Sequence, residues 1–260
     1  VFSGNAFLSK EGVPHIAYFG LGAKANLIAR AVDDELRVWE KLGERGALKS
    51  PDGASAFDAS VPYTVFDPFI WYDEGADAYY QIVGGMKPGL FKSGDMQDWQ
   101  FLGPLIDPDN SMRYSFEDLS GPDFFAIGDK YVLLFISHTL GAQYYIGSFA
   151  NDRFVPERHG RMNWPGGGLF ALEQLRDASG RNIVWGWIVQ PRDPITEPDW
   201  TPAFGWSGVL SLPRVLSLNA AGALHIEPAE ELRSLRLDEV REDDFVLEAD
   251  QSRTLRAQGR

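Results

Sequence analysis

Cysteine is absent from the 260 residues, which removes disulfides, thiol nucleophiles and Cys-ligated metals from the possible chemistry. Histidine is scarce. The four present, His15, His138, His159 and His225, include no two at metal-ligand spacing, so no metal site is expected and no cofactor is implied. No apolar run approaches the roughly 18 residues of a membrane-spanning helix, and the opening residues carry no signal-peptide pattern. Basic residues are outnumbered, 24 Lys and Arg against 37 Asp and Glu, and the net charge of -13 argues against nucleic acid or an anionic membrane surface as partner. Amphipathic helical patterns are also scarce before Pro228. The chain does hold 27 Gly, 16 Pro and many aromatics, which favours short strands joined by tight turns. The length suits one large β domain or two smaller ones.

A unit of strand, turn and aromatic-rich second strand recurs along the chain. It runs through Phe2–Phe19, Val65–Val83, Leu119–Ile136 and Leu169–Ile188. Between these copies lies a second unit, an apolar strand with a polar, Asp-containing turn and an aromatic, as in Leu27–Trp39, Leu90–Trp99 and Tyr145–Phe154. A period of roughly 50 to 60 residues with about four strands is the size of one β-propeller blade. An irregular β-sandwich is the competing architecture. After Leu218 a further short strand is expected at Leu224–Pro228, then one or two helical turns, with Pro228 at their start.

The stretch Phe116–Phe125 sets Glu117, Asp118 and Asp123 just ahead of the apolar run Tyr131–Ile136. Carboxylates beside an apolar wall are costly to ionise, and the resulting rise in pKa is how a general acid is made. A solvated acidic turn would read the same way in isolation. In a propeller the first strand of every blade lines the channel. The repeat therefore brings Ser3 with Asn5, Asp67, the Glu117–Asp123 stretch and Glu173 towards one pocket. Such a set, with rings such as Trp71, Trp185 and Trp206 nearby, suits a carbohydrate substrate. Each of these rings, taken singly, reads more readily as core than as a sugar platform.

Several segments resemble glycoside hydrolase family 32, the invertases, inulinases, levanases and other fructosidases. Phe2-Ser-Gly-Asn-Ala resembles the family's Trp-Ser-Gly-Ser-Ala, Phe66-Asp67-Pro68 its Arg-Asp-Pro, and Pro122-Asp123-Phe124-Phe125 the end of its Glu-Cys-Pro-Asp-Phe motif. Trp185–Ile188 and Gly205–Arg214 are similar to its later signatures. The resemblance implies an all-β chain: a five-bladed propeller of which about four blades are present, over residues 1–236. Residues 237–260 would form a linker and the start of a C-terminal β-sandwich. It also implies cleavage of β-fructofuranosidic bonds, of sucrose or fructan type, by a retaining mechanism with two carboxylates. In that scheme Asp67 stabilises the transition state, and Phe2, Ser3, Asn5, Asp123 and Glu173 bind substrate.

Three departures from the family pattern stand out. The family's nucleophile motif, Trp-Met-Asn-Asp-Pro-Asn-Gly, has no counterpart, and the chain is expected to be a fragment lacking that first blade and inactive alone. Arg161-Met-Asn-Trp-Pro has no Asp to serve instead. Phe66 stands where the motif has Arg. Ser120 falls on the acid/base Glu, and a hydroxyl cannot replace it. Glu117 is then the expected acid/base, with Asp118 next. The other readings are a propeller glycosidase related to arabinanases and xylosidases, or a sugar-binding propeller without turnover.

Overall fold

A computed structural model of the chain describes residues 2–112, 118–163, 168–189, 208–237 and 244–254. They form four antiparallel sheets, each built in chain order. The first comprises β1 (Ala6–Leu8), β2 (Pro14–Gly20), β3 (Ala25–Ala31) and β4 (Trp39–Lys41), with β5 (Leu48–Lys49) added beside β3. The second is β6 (Phe69–Asp73), β7 (Ala78–Val83), β8 (Gly89–Ser93) and β9 (Gln100–Pro104). The third is β10 (Ser120–Ile127), β11 (Lys130–Ser137), β12 (Gly141–Ala150) and β13 (Arg153–Arg161). The fourth pairs β14 (Leu169–Arg176), β15 (Asn182–Ile188), β17 (Arg214–Leu218) and β18 (Leu224–Pro228), while β16 (Val209–Leu210) extends β15's partner edge. The first strands of successive sheets touch, β1 with β6, β6 with β10 and β10 with β14, so they form the inner wall. This is the blade arrangement of a propeller.

The apolar run in β11 shows why these strands read as continuous rather than alternating. Leu133 and Phe135 face the second blade, where they join Tyr80, Ile82, Leu90 and Phe124. Val132 and Leu134 face the fourth, against Leu169, Leu172, Val184 and Leu216. With both faces buried, the period of two survives only as a choice of neighbour. Trp71 lies in the first of these seams, stacked on Tyr80 with ring centroids 5.2 Å apart and packed against Phe124 and Phe149. It is core, not an open sugar platform. At the rim, the β12–β13 hairpin turns through Asn151 and Asp152, both at positive φ, as a turn matched to strand twist requires. Asp152 there takes the Tyr80 hydroxyl and the Lys92 ammonium, latching blade three to blade two.

Past β18 the chain makes a short 3-10 turn, Glu230–Leu235, at the place where helical turns are expected. Residues 244–254 hold no strand. The expected sandwich start therefore has no described counterpart here.

Candidate active site

The inner strands of blades two, three and four share one distortion. Phe66 pairs with Gly84 and Phe69 with Ile82, so three steps on the inner strand match two on its neighbour. Ser120 to Asp123 against Ile136 to Leu134 repeats this, as does Phe170 to Glu173 against Trp187 to Trp185. Each is a β-bulge, and each turns on a residue at positive φ: Asp67 at 24°, Gly121 at 52° and Ala171 at 45°. The bulges make Asp67, Gly121 and Ala171 structural equivalents, and likewise Phe66, Ser120 and Phe170. Left-handed backbone in Asp or Ala costs on the order of 1 kcal/mol, and such strain clusters where side chains are re-aimed for function.

The bulges are clasped to one another. Asp67 Oδ2 accepts the Gly121 N–H at 3.0 Å, joining blade two to blade three. Asp123 Oδ2 accepts the Gln174 N–H, joining blade three to blade four. Between blades one and two the same work falls to Asn5, whose Oδ1 accepts the Ile70 N–H at 2.8 Å while its Nδ2 donates to the Ile70 carbonyl at 2.8 Å. Asn5 and Asp123 are thus bound into the wall.

Asp67 differs from them. Its second oxygen, Oδ1, is buried and has no hydrogen-bond partner among the described residues. A buried carboxylate oxygen without a partner is rare in a folded protein. Burial pushes the Asp67 carboxyl up to about 6, against the Gly121 N–H and the nearby His138, which favour ionisation; Asp118 adds to the rise. Glu173 is pushed up to about 7, first by the protein around it and then by the Asp67 charge. Its side chain nevertheless meets solvent, the combination expected of a group lining a concave site. Asp123 is raised well above the ordinary carboxylate range by burial and by Glu173, despite the Gln174 N–H. The three acids form one electrostatic cluster.

Phe66, standing where a cation is expected, closes a triad of rings with Phe2 at 5.5 Å and Phe19 at 5.0 Å. An apolar corner stands at the position of the motif's guanidinium. Ser3 is exposed beside this corner and its carbonyl accepts the Phe19 N–H. Trp185 sits opposite Glu173 across β14 and β15. Glu117 and Trp206 lie outside the described residues.

Asp118 is buried and fully engaged. Its Oδ1 accepts the His138 backbone N–H at 2.9 Å, and its Oδ2 takes both His138 Nδ1 at 2.6 Å and the Ser120 hydroxyl at 3.0 Å. His138 is the residue that sequence spacing did not bring to the site. It follows β11 directly, and the β10–β11 hairpin register, Ser120 opposite Ile136, folds it back onto Asp118. That register was the available signal. No group of His, Cys, Asp or Glu suited to a metal ion occurs among the described residues.

The inner strands of this propeller bring Asp67, Asp123 and Glu173 within electrostatic reach of one another. Residues 1–228 match the N-terminal domain of glycosyl hydrolases family 32, and the chain belongs to that family. It is 32% identical to a sucrose-6-phosphate hydrolase of Vibrio alginolyticus over 67% of this chain and 38% of that protein. It is 29% identical to the beta-fructofuranosidase insoluble isoenzyme 3 of Oryza sativa subsp. indica over 95% of this chain and 47% of that protein. Among solved structures, a sucrose-6-phosphate hydrolase from Lactobacillus gasseri superposes with a TM-score of 0.64 at 18% identity, covering 91% of this chain and 50% of that one. The chain spans about half the length of the relatives it matches.

Proposed function

We propose that this chain forms the fructosyl-binding wall of a β-fructofuranosidase that acts on sucrose or fructan bonds by a retaining, two-carboxylate mechanism. The observation that carries the reading is Asp67, the motif acid, with one oxygen fixed by Gly121 and the other buried without a partner among the described residues. Sugar hydroxyls donating to that oxygen bond more strongly as positive charge develops on the ring, so Asp67 lowers the barrier more than it tightens ground-state binding. Glu173, Ser3 and the Phe2–Phe66 corner shape the fructosyl subsite. Asn5 and Asp123 serve it by holding adjacent blades in register. The proton donor is drawn from the Glu117–Ser120 stretch and what it touches. The second carboxylate of the mechanism is assigned to no residue of this chain.

The relatives named as sucrose-6-phosphate hydrolase and beta-fructofuranosidase support a fructoside as substrate. The test is hydrolysis of sucrose and inulin by the polypeptide carrying the whole family fold, with Asp67→Asn alongside. Turnover that falls by orders of magnitude in the variant, with KM changed far less, supports the assignment; near-normal turnover refutes it. Ser120 at the acid/base position favours one other reading, a propeller that binds sugar without cleaving it. Tight fructoside binding by the unmodified protein with no product formed would establish that instead.

A further inference from the structure

Resting on the fructosidase reading, we propose that His138, held by Asp118, is the proton donor and acceptor of this site, in place of the carboxylic acid that Ser120 displaces. The Ser120 hydroxyl at the motif position is turned onto Asp118 Oδ2 at 3.0 Å. The same oxygen lies 2.6 Å from His138 Nδ1, and Asp118 Oδ1 takes the His138 backbone N–H. Asp118 is therefore buried and already accepts three hydrogen bonds. Its carboxylate is an acceptor, so Nδ1 carries the proton and Nε2 becomes the nitrogen that exchanges one with a ligand. Nε2 has no partner among the described residues, and about half of the His138 side chain meets solvent. The ring is oriented edge-to-face by Phe57 and by Phe170, the latter on the inner strand of the next blade. His138 also lies close enough to Asp67 for its charge to act on that carboxyl.

The arrangement is a buried carboxylate aligning an imidazole whose other edge meets solvent. In the first step the Nε2 proton of the imidazolium passes to the glycosidic oxygen. The C–O bond breaks, its electron pair leaves with the alcohol, and the anomeric carbon bonds to the nucleophilic carboxylate of the retaining mechanism. In the second step neutral Nε2 takes a proton from water as the water oxygen bonds to that carbon and the carboxylate departs. The imidazolium is restored and no other reactant is consumed. Asp118 is a positioning residue: it fixes the tautomer and the ring orientation.

A leaving-group comparison in the polypeptide carrying the whole family fold tests this. His138→Asn, whose amide still reaches Asp118, is expected to lose 10²- to 10⁴-fold in kcat/KM on sucrose, the usual contribution of general acid catalysis. On an aryl fructoside with an activated leaving group its first step should stay within about tenfold. Added imidazole should restore part of the sucrose turnover of His138→Gly, which a purely structural role would not permit. Asp118→Asn should lower kcat on sucrose with KM within about threefold. The proposal is overturned if His138→Asn keeps sucrose turnover within threefold. It is also overturned if both substrates fall equally and imidazole rescues nothing, or if Glu117→Gln alone shows the leaving-group pattern. If the unmodified protein turns over no fructoside, the fructosidase reading fails and the dyad with it, an outcome distinct from all of these.

Discussion

Asp67 Oδ2 accepts the N–H of Gly121 at 3.0 Å, and both residues are the left-handed turning points of equivalent bulges on adjacent blades. One bond thus couples the kink that carries the motif acid to the kink that opens the Ser120–Asp123 segment. In the proposed mechanism, the relative placement of transition-state stabiliser and proton donor depends on it.

Asp67→Asn is expected to stabilise the fold while destroying activity. The folded-state pKa of about 6 lies above the ordinary 3.8, so the folded protein binds the proton more tightly. Its contribution is fully present below about pH 4 and is lost as pH rises through about 6. Asn keeps the acceptor for Gly121 without the buried charge. At pH 8 the variant should gain about 3 kcal/mol over the parent, a difference that vanishes near pH 4. Urea unfolding at the two pH values checks it, and an equal gap at both would refute the burial argument.

Much of the fold was legible because the blade repeat imprints itself twice, as turn chemistry and as apolar runs such as Tyr131–Ile136. The site was legible less evenly. A polar residue at the start of an inner strand looks the same whether it clasps the next blade, as Asn5 and Asp123 do, or keeps one oxygen without a partner among the described residues, as Asp67 does. The difference lies in which backbone N–H stands opposite, a matter of inter-blade register. His138 meets Asp118 across a hairpin. It becomes visible only once the bulge fixes how β10 and β11 pair.

Asn5→Ala should loosen the seam between blades one and two. It strands the Ile70 N–H and carbonyl, two partly buried groups whose partners are lost together. The cost is about 1 to 3 kcal/mol of stability. Because Asn5 clasps the wall and does not contact the open oxygen of Asp67, KM for a fructoside should change by less than about threefold. Thermal unfolding and steady-state kinetics read the two separately.

Gly85→Ala should be among the most damaging single-methyl additions. Gly85 has φ of 106°, and a Cβ there would stand 2.4 Å from Thr64 Oγ1 and 2.5 Å from the Ala56 carbonyl oxygen. Gly85 also exchanges both backbone hydrogen bonds with Leu119, the neighbour of Asp118. Backbone strain and overpacking together are expected to cost about 3 kcal/mol or more. Activity should fall further than the unfolded fraction explains, since the Asp118–His138 pair shifts with Leu119. Circular dichroism with kinetics at a temperature where the variant is folded tests it.

The last prediction concerns how Asp67 and Glu173 share charge. Glu173 is raised to about 7, with burial the larger cause and the Asp67 carboxylate the next. Removing that charge in Asp67→Asn should therefore lower the Glu173 pKa, but only part of the way towards 4.5, because the surrounding protein still disfavours its ionised form. Carbon-13 NMR of labelled glutamate side chains, with Glu173→Gln to assign the resonance, follows the titration directly. A Glu173 pKa unchanged by Asp67→Asn would separate the two acids and undo the single cluster. A fall to the ordinary value would make Asp67, not burial, the dominant cause. The intermediate result requires the two carboxyls to stand close enough to interact while the protein around Glu173 still disfavours its ionised form.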